Sequence, residues 1–310
     1  MPVTLITVPC ALCGADEPEV MASGRDFEYH TTPETFSYVR CKKCGHWYLN
    51  PRPSVSDLNV IYPSNYYAFT TGMNPIVQKC RSFWEKKKVE GYSRMIGAGA
   101  RRILDVGCGE GRFLSILKEY GPKDWQLCGL DFDEAAVQKC RERGFEAVAR
   151  RVEDFIEGNG TFDAVIMLQL IEHVEDPALI ARRVFELLKP GGYFIIETPN
   201  IDSLDFKLFK KSHWGHFHFP RHWHLFSTLS LHRMLRSAGF EIAETSYLLS
   251  VSGWIISVHN ALLDRGCPKP MVQFFSFQNP LLLPLVVLGD TLRAKLGFQT
   301  SNQRVVARKP

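Results

Sequence analysis

The stretch "RRILDVGCGEGRFLSILKEYG", residues 101–121, limits the possible folds more than any other part of the sequence. Ile103, Leu104 and Val106 form a short apolar run that predicts a buried strand. Phe113, Leu114, Ile116 and Leu117 repeat at helical spacing. Between them stand Gly107, Gly109 and Gly111. A strand, a glycine turn and a helix in that order build a nucleotide-type pocket at the strand's carboxyl edge, where a side chain would collide with the ligand. The next segment, "WQLCGLDFDEAAVQKCRERG" (125–144), predicts a second strand and helix, with Asp131 placed 20 residues past Gly111. A carboxylate there can accept both hydroxyls of a ribose. Asp105 before the turn and Glu110 within it predict an acidic lining. Such a lining repels a pyrophosphate and suits a cation, which favours a sulfonium nucleoside over NAD.

Ahead of this region lie "CALCG" (Cys10, Cys13) and "CKKCG" (Cys41, Cys44), with 27 residues between the pairs. Each Cys-x-x-Cys turn puts two sulfurs on one edge of a tetrahedron, and the following glycine lets the turn close. Two matched pairs predict a closed structural zinc site that folds the leader and leaves no open position for chemistry; a redox role would require a pair opening a helix after an apolar strand. His46 is expected as a spare ligand or a surface residue. Nine cysteines, an odd number with four in tight pairs, fit a reducing cytosol better than a disulfide framework. The opening segment has no basic region before Cys10, so a cytoplasmic location is expected. A balance of 37 Lys plus Arg against 33 Asp plus Glu, net +4, lacks the basic excess of a dedicated nucleic-acid binder.

The glycine turn, "GLDFDE" (129–134), "FDAVIMLQLIEHVEDP" (162–177), "LLKPGGYFIIETPN" (187–200) and "AGFEI" (238–242) together resemble the ordered motifs of class I S-adenosylmethionine-dependent methyltransferases. The cysteine pairs, "NPRP" and "YPSNYY" resemble a subgroup with a zinc-binding leader that modifies sugars, lipids or other metabolites. The resemblance implies an α/β, Rossmann-like, seven-stranded, mostly parallel sheet whose antiparallel last strand is "RVVARKP" (304–310). Around this sheet we expect a zinc-binding module at 1–56, a helical linker and cofactor lid at 57–100, a transferase domain at 101–310 and an apolar helical cap at 250–300. By position, Gly107, Cys108 and Gly109 would line the S-adenosylmethionine, Asp105 would support its amino acid end and Asp131 would hold the ribose. Phe132, Val152, Glu153 and Leu168 would surround the adenine and the remainder of the cofactor. Arg151 stands where an Asp is common, and Glu153 or Asp154 would take its place.

Methyl transfer from a sulfonium is an in-line displacement, so alignment and exclusion of water are the main requirements. A hydroxyl or carbon acid acceptor also needs a base. His173, just past the fourth strand, is the expected base, unless it and Glu172 only cap the next helix or order the pocket. The stretch "HWGHFHFPRHWHLF" (213–226) holds five of the ten histidines among five aromatic rings. It is expected to wall the acceptor pocket, with His222 and His224 as working residues beside Arg221; no nearby carboxylate is evident to complete a second metal site. The apolar residues 253–297 are expected to cap the pocket, with a peripheral membrane contact or a homodimer interface as alternatives. A small-molecule, saccharide or lipid-linked acceptor follows. An RNA methyltransferase and a non-catalytic binding scaffold are the competing readings.

Overall fold

The computed structural model describes residues 2–63, 75–276, 279 and 281–310. The expected tyrosine-rich element falls outside these residues from Ser64 onward, as does most of the junction preceding the long linker helix. In the leader, β1 (Leu5–Ile6), β2 (Pro18–Gly24), β3 (Phe36–Cys41), β4 (Trp47–Leu49) and β5 (Arg52–Pro53) precede a one-turn helix α1 (Leu58–Ile61) and the long α2 (Pro75–Ile96). Strands β2, β3 and β4 pair in antiparallel order. Gly14 and Gly45, at φ +69° and +78°, close the two cysteine turns by donating to the Cys10 and Cys41 carbonyls. That left-handed conformation is why glycine follows each pair.

Residues 101–310 alternate as the motifs predict. In chain order come β6 (Arg102–Val106), α3 (Arg112–Tyr120), β7 (Gln126–Asp131), α4 (Glu134–Glu142), β8 (Glu146–Ala149), β9 (Phe162–Leu168), α5 (Pro177–Leu187), β10 (Leu188–Pro199) and α6 (Leu204–Phe209). Then follow β11 (His224–Leu225), α7 (Thr228–Ser237), β12 (Glu241–Leu248), α8 (Val251–Asp264), α9 (Lys269–Phe274), α10 (Leu282–Lys295) and β13 (Asn302–Arg308). Among the described residues the main sheet has seven strands, ordered β12-β13-β10-β9-β6-β7-β8, with β13 antiparallel to both neighbours. Helix starts follow local chemistry. Asp133, Asp176 and Ser227 accept backbone N–H groups at the first turns of α4, α5 and α7, satisfying donors that have no partner within the helix. Asp176 therefore caps α5, and neither Glu172 nor His173 does.

Two apolar layers cover the sheet. Leu114 and Leu117 of α3, Val137 and Cys140 of α4, and Val89, Tyr92 and Ile96 of α2 bury on one face; Ile180, Val184 and Leu187 of α5 with Leu231 and Leu235 of α7 bury on the other. The lysine run of α2 is only partly a solvated face, because Lys88 turns inward to Glu197 at 2.7 Å. Phe83 and Trp84 stand exposed instead of on the helix's apolar face.

Residues 213–226 do not wall a pocket with aromatic rings. Trp214, Phe217, Phe219 and Trp223 pack with Phe36, Tyr38 and Trp47 of the leader in a third core. Strand β11 pairs with β4, so the leader's sheet runs β11-β4-β3-β2 and is completed by a strand that comes after β10 in the chain. Helix α8 packs behind this segment: the Gly215 N–H donates to Ser257 Oγ at 2.8 Å, and His216 Nε2 meets Ser250 Oγ at 2.8 Å. Leu285, Leu288, Leu292 and Leu296 of the α10 region remain exposed, the face that the expected membrane or partner contact would use. No helix among the described residues is long and apolar enough to cross a membrane.

Candidate functional site

The sheet reverses its strand order beside β6, and the crevice outside the carboxyl ends of β6, β7 and β9 is where open α/β sheets bind ligands. Gly107, at φ +78°, turns the chain out of β6, and its N–H with that of Cys108 donates to the Leu130 carbonyl at 2.8 and 3.2 Å. The Gly109 N–H donates to Asp131 Oδ2 at 2.9 Å, and Asp133 N–H donates to Oδ1 at 3.1 Å. The Asp131 carboxylate is thus aimed across the turn. A Cβ at Gly107 would lie 2.8 Å from Leu170, whereas one at Gly109 would meet nothing within 4 Å and would project into free space. Asp105 lies buried behind the turn. Burial first, then the charge of Asp131, raises its carboxyl from 3.8 to about 8. A cationic ligand in the crevice would reverse that shift.

Some expected residues stand elsewhere. The Glu110 carboxylate pairs with Lys139 and Arg143 at 2.7 and 3.0 Å, so the acidic lining comes from Asp105 and Asp131 and not from the turn itself. Phe132 is 70% exposed at the mouth of the crevice. Leu168 is half-buried at the end of β9, while the Val152 side chain belongs to the core. Glu153 pairs with Arg151 at 3.1 Å, and Arg151 also reaches Glu175 at 2.9 Å.

The loop from β9 to α5 joins the crevice to the second half of the site. Its Leu170 covers Gly107, and two residues later Glu172 is fully buried, with Oε2 accepting the Thr198 hydroxyl at 2.9 Å. The Glu172 carbonyl accepts the N–H groups of Trp223 and His224 at 2.7 and 3.0 Å. His173 and His222 come together with ring centroids 4.6 Å apart. Nδ1 of His173 lies 3.0 Å from the Arg221 carbonyl and 2.9 Å from the Tyr62 hydroxyl, and Nδ1 of His222 lies 2.8 Å from the His216 carbonyl. A carbonyl only accepts, so each imidazole carries its proton on Nδ1 and its lone pair on Nε2. Burial pushes His173 from 6.5 down to about 3, leaving it neutral and weakly basic.

His224 does not join this pair. Its Nδ1 meets His46 Nε2 at 3.1 Å and the two rings stack, which makes it a tether to the leader. His46 is correspondingly buried, not a surface residue, because β11 covers it. Arg221 is also a tether. It is buried on Asp26 at 2.8 and 3.1 Å and donates through Nε to the Ile61 carbonyl. Burial alone would raise the Asp26 carboxyl, but the Arg221 guanidinium outweighs it and holds the pKa at about 2 against an ordinary 3.8. The depressed value stabilises the fold by about 2 kcal/mol above pH 4, and this contribution is lost as pH falls toward 2. In Asp26→Asn the acid limb of unfolding, followed by circular dichroism, should flatten by about one proton between pH 4 and 2. An unchanged limb would remove this pair from the account of acid stability.

In the leader, Cys10 Sγ lies 3.5 Å from Cys44 Sγ and Cys13 Sγ lies 3.6 Å from Cys41 Sγ, with all four sulfurs within 4.8 Å of one another. Four sulfurs around one ion at about 2.3 Å stand about 3.8 Å apart, so the cluster fits a tetrahedral metal.

The family model described as "Methyltransferase domain" matches residues 77–245. A Mycolicibacterium smegmatis protein named as a probable S-adenosylmethionine-dependent methyltransferase is 30% identical over 168 residues, covering 53% of this chain and 62% of that protein. A ubiquinone biosynthesis O-methyltransferase of Xanthomonas oryzae is 37% identical over 123 residues, covering 37% of this chain and 50% of that protein. The chain thus spans between half and two thirds of the length of these two relatives. The solved phosphoethanolamine N-methyltransferase 2 of Haemonchus contortus shares the fold at TM-score 0.52 and 17% identity, over 94% of this chain and 68% of that one.

Proposed function

We propose, for a chain that belongs to the class I S-adenosylmethionine-dependent methyltransferases, that it transfers a methyl group to an oxygen of a hydroxylated small molecule, with saccharide and lipid-linked acceptors included in that class. The observation that carries the donor half is the Asp131 carboxylate held across an open glycine turn, with Asp105 buried alongside. Asp131 would take the ribose hydroxyls. Asp105 would face the ammonium group of the amino acid end, and the backbone of residues 107–109 would lie along the donor. When bound, S-adenosylmethionine supplies a methyl carbon activated by its sulfonium. The O-methyltransferase among the relatives supports an oxygen acceptor.

On the acceptor side, the Nε2 atoms of His173 and His222 suit holding an acceptor oxygen, directly or through an ion bound between them. A pKa near 3 makes His173 a poor base at neutral pH, which moves its role from proton removal to holding the acceptor. The four leader cysteines would hold a structural zinc, and their thiolates complete the tetrahedron without an open position. RNA is a poor fit to a net charge of +4.

The test is transfer from isotopically labelled S-adenosylmethionine to a panel of hydroxylated metabolites and to structured RNA, with products read by mass spectrometry. Label appearing only in RNA would overturn the acceptor class. The donor half makes its own prediction by calorimetry. Affinity should rise with pH, by about tenfold per unit below pH 7, and level off above about 8 as Asp105 ionises. Asp105→Asn should remove most of that dependence; a wild-type affinity flat from pH 6 to 9 would rule Asp105 out as the partner of the cation.

A further inference from the structure

The donor crevice leaves one buried polar cluster unexplained. A Glu172 oxygen and one ring nitrogen each from His173 and His222 all lie within 4.8 Å of one another. Glu172 is 0% exposed, and its Oε1 has no hydrogen-bond partner among the described residues. An unpaired buried carboxyl oxygen costs about 1–3 kcal/mol, a cost that an ion bound to it would remove. Both histidines are oriented in the way metal-ligating imidazoles are: a backbone carbonyl, of Arg221 or of His216, holds Nδ1–H and leaves Nε2 available. The Arg221 guanidinium pairs with Asp26.

We infer that Glu172, His173 and His222 form a second metal site, separate from the four cysteines, for a single divalent transition ion such as zinc, iron or manganese. One carboxylate and two imidazoles leave open coordination positions, unlike the closed thiolate set. Ligand spacings around such an ion are about 3–4 Å, within reach of small rotamer changes from the spacing present. Two of its ligands, Glu172 and His173, sit on the loop whose Leu170 covers Gly107 at the donor crevice, and His222 reaches them from the segment before β11. Its role rests on the methyl-transfer reading. An acceptor hydroxyl in an open position loses its proton to solvent water more readily. Its oxygen lone pair then bonds the methyl carbon as the carbon–sulfur bond breaks, and the electron pair stays on sulfur.

The test is titration of the metal-free full-length chain with cobalt(II). Two equivalents are expected, one with intense thiolate-to-cobalt bands and one without. Glu172→Gln and His222→Gln should weaken the second at least about a hundredfold while sparing the first. Should these variants fail to fold, proton spectra of the wild-type cobalt protein decide. Two hyperfine-shifted resonances that vanish in D2O are expected from the His173 and His222 Nδ1–H groups, and the cysteine site contributes none. A single equivalent carrying only thiolate bands, or absence of those resonances, overturns the inference. Calorimetry with S-adenosylmethionine on the same samples separates the two readings. Donor binding with one cobalt sinks the metal site alone; two cobalts without donor binding sink methyl transfer alone.

Discussion

Asp131→Ala is expected to weaken S-adenosylmethionine binding by about a hundredfold. The carboxylate is held by the N–H groups of Gly109 and Asp133 at 2.9 and 3.1 Å, so it presents its remaining lone pairs outward in a fixed direction. Two charge-assisted bonds to ribose hydroxyls contribute about 3 kcal/mol, which sets the size of the loss. Truncation also frees the Gly109 N–H and with it the shape of the turn. Asp131→Asn keeps an oxygen for that N–H and should lose less. Calorimetric affinities beside thermal unfolding midpoints are the measurement. A dissociation constant for the alanine variant within threefold of wild type would mean that the donor does not use this carboxylate.

The second large effect lies far from the crevice. Replacing Cys41 with Ser, or treating the protein with a chelator to strip the zinc proposed for the four cysteines, should cut methyl transfer by more than about a hundredfold while changing donor affinity less than about threefold. A structural tetrathiolate ion contributes on the order of 10 kcal/mol to folding, comparable with the whole stability of a domain. Without it, β4 loses its frame, and β11, His224 and the aromatic core of Trp214, Phe217 and Trp223 lose the surface they pack on. His222 belongs to that same segment. The donor crevice is built from β6, β7 and β9, which pair in a sheet separate from the leader's. Hydrogen exchange should show protection lost in 5–53 and 213–226 and kept in 102–131. Donor affinity falling together with transfer would contradict this division.

The strand, glycine turn and helix around the crevice were legible because their signals are local. A glycine turn, an apolar strand and an acid 20 residues on lie within one short segment, and the strand-and-helix alternation follows from the same periodicity. The acceptor side depends on contacts that no local pattern carries. His46 read as a surface residue because its cover, His224, lies 178 positions away. The five rings of 213–226 read as a pocket wall, yet four of them pack with leader residues such as Tyr38 and Trp47, and Phe226 joins the core of the main sheet. Glu172 adjoins His173 in sequence, but only the fold brings His222 to the pair. Glu110 misled for the opposite reason: its position in the turn was right, and Lys139 and Arg143, one helix away, direct its side chain.

Strand β13 lies between β10 and β12, so the final strand of the sequence occupies an interior position in the sheet. A ribosome must therefore release residue 308 before β10 gains its second neighbour, and until then a long apolar strand keeps an open edge. Nascent chains that stop short of β13 should be prime clients for holdase chaperones, and removing residues 302–308 should leave a fragment that aggregates.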